Sequence, residues 1–204
     1  MELYDTEEQQ VEAIKDWWKQ NGKSVIIGAV VGLAAIGGWK YYQNYVKESQ
    51  EAASHAYEKT ISVLSSKGAK AETDVQAFID GHADSQYSVL AALQLAKIQI
   101  DANHLDEGLA QLEWAKSHTD DNALSTLINF RIARVLSEQG DYAKATSSLD
   151  LIKDESWKGR VLELKGDIAL RQGDKDAAYV AYTEAQQAKD ASQTLQFKLD
   201  DLTK

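Results

Sequence analysis

Cysteine and proline are both absent from this chain of 204 residues, and methionine occurs once. Without cysteine there is no disulfide framework and no thiol chemistry. That fits an oxidising compartment without requiring one. Without proline no helix is broken from within, and abundant Ala, Leu, Gln, Glu and Lys favour helix throughout. The expected fold class is all-α. Basic charge is also scarce: 22 Lys and Arg stand against 32 Asp and Glu, for a net charge of −10. Such a balance argues against nucleic acid, whose phosphates need Lys and Arg. Plain solubility explains the acidity equally well. The charge is unevenly spread: −3 over residues 1–23, +2 over 24–47 and −9 over 48–204.

What is present is one long apolar run, Ser24–Tyr42, SVIIGAVVGLAAIGGWKYY. It carries no charge from Ser24 to Trp39. As a helix it reaches about 28 Å, close to the roughly 30 Å hydrocarbon core of a bilayer. Trp17, Trp18, Trp39, Tyr41 and Tyr42 flank it as interfacial aromatics do, with Lys19, Lys23, Lys40 and Lys47 in reach of headgroups. The reading is a single transmembrane helix. A buried core helix is the first alternative, disfavoured by the aromatic flanks and the polarity of the remaining chain. A cleaved signal peptide is the second, disfavoured by a leader that is long and net acidic. Ser24, Gly28 and Gly32 fall at i, i+4, i+8 and give the helix a smooth face, a candidate contact for a partner helix. Flanking lysines tie for orientation. A short tail inside and a long domain outside is the ordinary signal-anchor arrangement.

Residues 1–23 read as an amphipathic helix. Thr6 is placed to cap it, with Gln9 as reciprocal partner, and Val11, Ile14 and Trp18 share a face. Asn21-Gly22 is expected to break it before the span. The segment is either an interfacial anchor or a cytoplasmic binding element built on Val11, Ile14, Trp17 and Trp18.

The run EEQQVEAIKDWWKQNGK (Glu7–Lys23), followed by a Gly-rich anchor and then aromatics, resembles the N-terminus of the YfgM family, bacterial ancillary subunits of the SecYEG translocon. The resemblance covers most of the chain and lies in the order of its parts, not in a catalytic motif. It implies a single-pass type II protein of the bacterial inner membrane, its N-terminus cytoplasmic and a tetratricopeptide-like domain periplasmic. It also implies partners: the SecYEG translocon, membrane lipid, unfolded or nascent periplasmic and outer-membrane proteins, and a membrane-anchored chaperone and peptidyl-prolyl isomerase. On the cytoplasmic side it implies restraint of a stress-response regulator.

After the span, Val46, Ala53, Ala56, Tyr57, Ile61 and Leu64 make a helical stripe that Gly68 ends. Thr73–Ile79 reads as a short helix with Val75, Phe78 and Ile79 inward, ended by Gly81. From Tyr87 the chain repeats. Ala96, Ala133 and Gly166 are each followed by a turn residue, Asn103, Gly140 and Gly173. Each turn is followed by a small residue (Gly108, Ala145, Ala178), a large one (Leu112, Leu149, Tyr182) and then Ala115, Ile152 or Ala185. The turn spacings bracket the 34-residue tetratricopeptide period. A small residue on each helix lets the pair cross closely, and Gly or Asn allows the tight turn between them. QGDYAKATSSL (Gln139–Leu149) is the cleanest copy; Gln99 and Lys175 depart from the consensus, whose early Trp and closing Pro are missing. An unrelated antiparallel helical bundle is the alternative.

The expected organisation is a cytoplasmic segment at 1–23, a transmembrane helix at 24–42 and a tetratricopeptide-like helical-hairpin solenoid at 43–204. Its degenerate repeats fall at about 89–118, 126–155 and 159–188, with a capping helix at 194–203 over Leu195, Phe197, Leu199 and Leu202. If the repeat offsets hold, the family resemblance puts Leu90, Leu93, Lys97, Phe130, Arg134, Arg160, Glu163 and Asp167 along a client groove. The competing arrangement has Phe78 and the preceding helix filling that groove. No catalytic motif is evident: HExxH, GxSxG, SxxK and a phosphate loop are all missing. His55, His82, His104 and His118 are scattered, and Asp120-Asp121 and Asp200-Asp201 read as helix ends or caps. The expectation is a non-enzymatic binding protein without cofactor or metal, either an export-channel subunit or an anchored scaffold for envelope or cell-division complexes.

Overall fold

The computed structural model describes residues 7–202, and among these helix is the only regular structure. The Thr6 cap and the last residue of the expected 194–203 capping helix lie outside them. The α-helices are α1 (Glu7–Lys67), α2 (Glu72–Gly81), α3 (Gln86–Asp101), α4 (Leu105–Ser117), α5 (Asn122–Glu138), α6 (Tyr142–Asp150), α7 (Lys158–Arg171), α8 (Lys175–Gln186) and α9 (Leu195–Leu202). Short 3₁₀ turns, Gly68–Ala71 and Glu155–Trp157, precede α2 and α7. The chain divides into two compact units at Ala52/Ala53.

The first unit is the N-terminal portion of α1. The expected break at Asn21-Gly22 does not occur: α1 runs through both residues. The Asn21 side-chain amide donates to the Trp17 carbonyl at 3.0 Å, so its polar group is satisfied inside the helix. The Trp18 indole covers Gly22, which is buried. Isolated Gly costs a helix only about 1 kcal/mol, too little to stop one continued by strong helix formers.

The second unit is a run of helix pairs. The last turns of α1 contribute Ala53 and Leu64 to its buried residues, with Tyr57 and Ile61 half-covered. Tyr57 meets Phe78 of α2 and Tyr87 of α3, with ring centroids 6.1 and 5.4 Å apart. Gly68 stops α1 at φ +56°. Ser85 opens α3 by accepting from the Tyr87 N–H, and Asp121 opens α5 by accepting from the Leu124 N–H at 2.8 Å. The Asp121 cap starts α5 at residue 122, ahead of the repeat start expected at about 126.

Three hairpins follow: α3–α4, α5–α6 and α7–α8. The first helix of each hairpin (α3, α5 and α7) ends the same way. Asn103, Gly140 and Gly173 have φ of 65°, 81° and 84°. The next N–H returns to the carbonyl five residues back: His104 to Gln99, Asp141 to Leu136 and Asp174 to Ala169, at 2.8–2.9 Å. The positive-φ residue itself donates three residues back. These are Schellman closures, which satisfy the orphan carbonyls of a helix end and need a residue at ease in the left-handed region. In the second and third hairpins the turn then caps the following helix: Asp141 accepts from Lys144 N–H at the start of α6 and Asp174 from Ala177 N–H at the start of α8. His104 makes no such cap.

The small residues bring the partners close. Ala96, Ala133, Ala145 and Ala178 are wholly buried, as are Leu112 and, to within a percent, Leu149 and Tyr182. Burying such a Leu contributes roughly 1.5–3 kcal/mol. One buried cluster runs from Leu64 to Ile168, and a second joins Ala178, Tyr182 and Ala185 to Leu195 and Leu199 of α9. Gln99, where the repeat wants an apolar side chain, is buried and donates to Glu72 at 3.3 Å.

Candidate functional site

Two surfaces of the chain are candidates, one in each unit. In the first, among the described residues, α1 is the one helix long and apolar enough to cross a membrane. Its apolar side chains are uncovered: Ile27 and Leu33 are 63% and 70% exposed, and Trp39, Tyr41, Tyr42 and Tyr45 point outward beside them. In water this surface would be costly; in hydrocarbon it is at home, and the backbone is satisfied inside the helix. Ser24, Gly28 and Gly32 are exposed, and a Cβ added at either glycine meets no atom of the described residues within 4 Å. Val11, Ile14, Trp17 and Trp18 are also exposed. Ile14 and Trp17 form a shallow patch with Gln10 and Ala13, whereas the Trp18 ring lies toward Gly22.

In the second unit a cleft of about 310 Å³ lies between α3 and α5. Its floor is apolar: Leu93, Ala96 and Ile100 from α3, Leu105 and Leu112 from α4, and Val135 from α5. Its rim is charged: Lys97 and Asp101 on one side, Arg131, Arg134 and Glu138 on the other. Lys97 is paired with Asp101 within α3. Glu138 is held by Arg171 of α7 through two hydrogen bonds, and that carboxylate raises the pKa of the guanidinium against a smaller effect of its burial.

Of the eight residues expected along a groove, Leu93, Lys97 and Arg134 share this cleft. Leu90 is 38% exposed and outside it. Phe130 packs on Trp157, centroids 5.4 Å apart, and Arg160 lies over the same indole at 4.8 Å. Glu163 and Asp167 are engaged by α9: the Lys198 ammonium sits 2.9 Å from Glu163 and 2.6 Å from Asp167, and Asp167 also accepts the Tyr182 hydroxyl at 2.7 Å. Burial lowers the Lys198 pKa, but the two carboxylates outweigh it and hold the ammonium above its ordinary value. Burial, aided by Asp167, pushes the Tyr182 phenol well up. In the third hairpin, Glu163 and Asp167 are thus already paired within the chain, while Arg160 stays exposed.

Arg131, Ile100 and Val135 line the α3/α5 cleft and were not among the expected residues. Arg131 had a signal: it lies three residues before Arg134, on the same helix face. Lys198 had none, since its partners lie on α7, 31 residues away in the case of Asp167.

Comparison with known proteins agrees with this architecture. A family model described as a tetratricopeptide repeat-like domain matches residues 15–204. The chain is similar to proteins named ancillary SecYEG translocon subunit from three bacteria. With that of Escherichia coli (strain K12) it shares 33% identity over 207 residues, covering 100% of both chains. With that of Haemophilus influenzae it shares 31% over 182 residues, 89% of each. With that of Aggregatibacter actinomycetemcomitans it shares 32% over 199 residues, 96% of this chain and 97% of the relative. Repeat architecture, apolar N-terminal helix and full-length similarity together make the chain a member of the YfgM family, that of the ancillary SecYEG translocon subunits.

Proposed function

We propose that this chain is a non-catalytic, membrane-tethered subunit that works beside the SecYEG translocon. The carrying observation is similarity along the whole length, anchor and repeats together, to relatives named for that channel. In this reading α1 crosses the bacterial inner membrane with the N-terminus in the cytoplasm. The Ser24, Gly28 and Gly32 face meets a helix of the channel, and the helical repeats lie in the periplasm. There they receive newly translocated polypeptides and pass them to periplasmic chaperones, among them a membrane-anchored peptidyl-prolyl isomerase. The Val11, Ile14, Trp17 and Trp18 segment rests on lipid headgroups or restrains a cytoplasmic stress-response regulator.

The physical logic is tethering. A binding site held beside the channel exit meets each emerging chain at high local concentration, so weak contacts suffice. An apolar floor with a charged rim suits an unfolded client, taking side chains below and polar backbone at the edge.

Co-purification in mild detergent tests the reading. Channel subunits are expected with the full-length chain; recovery of only wall or division proteins would favour an envelope scaffold instead. Topology is tested by a reporter fused after Lys204 that works only outside the inner membrane. Activity in the cytoplasm would overturn the orientation.

A further inference from the structure

Two guanidinium groups on the rim of the α3/α5 cleft have no carboxylate to answer them. Asp101 is matched by Lys97 and Glu138 by Arg171, while Arg131 and Arg134 form no ion pair among the described residues. They stand three residues apart on α5, hence on one face of it. The segment from 48 to 204 carries −9, so an unanswered positive pair above an apolar floor is a local reversal of the surface charge. In a cleft with apolar walls such charges attract anions more strongly than on an open surface.

The cleft also has a length. Its α3 wall runs from Leu93 to Asp101, about 12 Å of helix. An extended peptide rises about 3.3 Å per residue and points alternate side chains to opposite sides. Three to four residues therefore fit, and two side chains at i and i+2 face the cleft together. Adjacent residues point apart. We propose that the cleft selects extended segments of unfolded polypeptide in which an acidic side chain lies two residues from a large apolar one. The apolar group enters the floor at Leu93, Ile100 and Val135, and the carboxylate is taken by Arg131 and Arg134. The inference rests on the reading of the domain as a binder of emerging chains and adds which sequences it takes.

The test uses the full-length protein in lipid nanodiscs and labelled octapeptides, acetylated and amidated at their ends, with a central Glu-Gly-Leu in a Ser/Gly background. Fluorescence anisotropy is expected to show binding that weakens about tenfold when the peptide Glu becomes Gln, or when Glu and Leu are made adjacent. The double variant Arg131→Gln/Arg134→Gln loses a similar factor for the Glu peptide and nothing for its Gln form. The charge-matched pair Lys153→Gln/Lys189→Gln, on exposed side chains away from the cleft, keeps wild-type affinity. Circular dichroism checks that each variant is folded. Three results overturn the proposal: no peptide binds, the arginine variant binds the Glu peptide as wild type does, or a Gln peptide with a free C-terminus binds better than the amidated Glu peptide. The last would assign the arginines to a terminal carboxylate. Recovery of channel subunits with the wild-type chain is scored separately, and its failure would remove the export reading whatever the peptides do.

Discussion

Tyr182 of α8 fills the space that a Cβ on Gly166 of α7 would need. The same tyrosine donates its hydroxyl to Asp167, the residue after that glycine, and Lys198 reaches both Asp167 and the face of the tyrosine ring. A single side chain thus closes the third hairpin and seats α9. The contact depends on residue 166 having no side chain, because a buried ring cannot bend aside.

Gly166→Ala is therefore expected to destabilise by roughly 1–3 kcal/mol, the usual cost of overpacking a core. Denaturation of the full-length protein in detergent, followed by far-UV circular dichroism, measures it. Gly166→Ala/Tyr182→Leu should recover part of the loss. If the single variant melts with the wild type, the close crossing of α7 and α8 is not as described.

Stability should decline in alkali through two groups at one place. Tyr182 and Lys198 both keep their protons more tightly in the folded chain than at their ordinary values of 10.0 and 10.5. The stabilisation is complete below those values and drains away as pH rises through the higher folded ones. Thermal melts from about pH 8 to about pH 11.5 should show the midpoint falling above about pH 10. The double variant Tyr182→Phe/Lys198→Met should flatten that alkaline limb; an unchanged slope would assign it elsewhere.

Asp121→Ala removes the acceptor for the Leu124 N–H at the start of α5. A lost N-cap costs about 1 kcal/mol. The neighbouring exposed change Asp120→Ala should stay within about 0.5 kcal/mol. Paired urea titrations compare them, and equal effects would deny the cap.

Gly28→Leu/Gly32→Leu adds bulk on a face of α1 where, among the described residues, no atom lies within 4 Å of an added Cβ. The variant is expected to remain in the membrane pellet after alkaline carbonate, because its apolar length is unchanged. Its recovery with channel subunits should fall several-fold, as close helix approach in lipid depends on small residues. Undiminished recovery would show that this face makes no channel contact.

The hairpin turns were legible because their chemistry is local. A left-handed residue that closes a helix is nearly always Gly or Asn, so Asn103, Gly140 and Gly173 announce themselves at repeat spacing. The buried Leu112, Leu149 and Tyr182 follow at fixed distances from those turns. Asn21-Gly22 carries the same local signature and misleads. There the Trp18 ring and the Trp17 carbonyl satisfy both residues within a continuing helix. The eight residues placed along a candidate groove fall into different surroundings in the structure. Leu93, Lys97 and Arg134 meet in one cleft, whereas Glu163 and Asp167 are claimed by a lysine from a helix the repeat offsets do not describe.

Composition and periodicity alone determined that the chain is helical, that it carries one membrane-length apolar helix, and that its remaining length folds as paired helices. Each of these follows from forces acting within a few turns: missing proline, apolar length, and turn residues that tolerate positive φ. Tertiary structure decided which charges remain available. Lys198 neutralises Asp167 and Glu163, and Arg171 takes Glu138, while Arg131 and Arg134 on the α3/α5 cleft form no ion pair among the described residues. Those pairings join residues separated by 31 to 35 positions, and only the packing of α7 against the second hairpin and of α9 against the third brings them within hydrogen-bonding range.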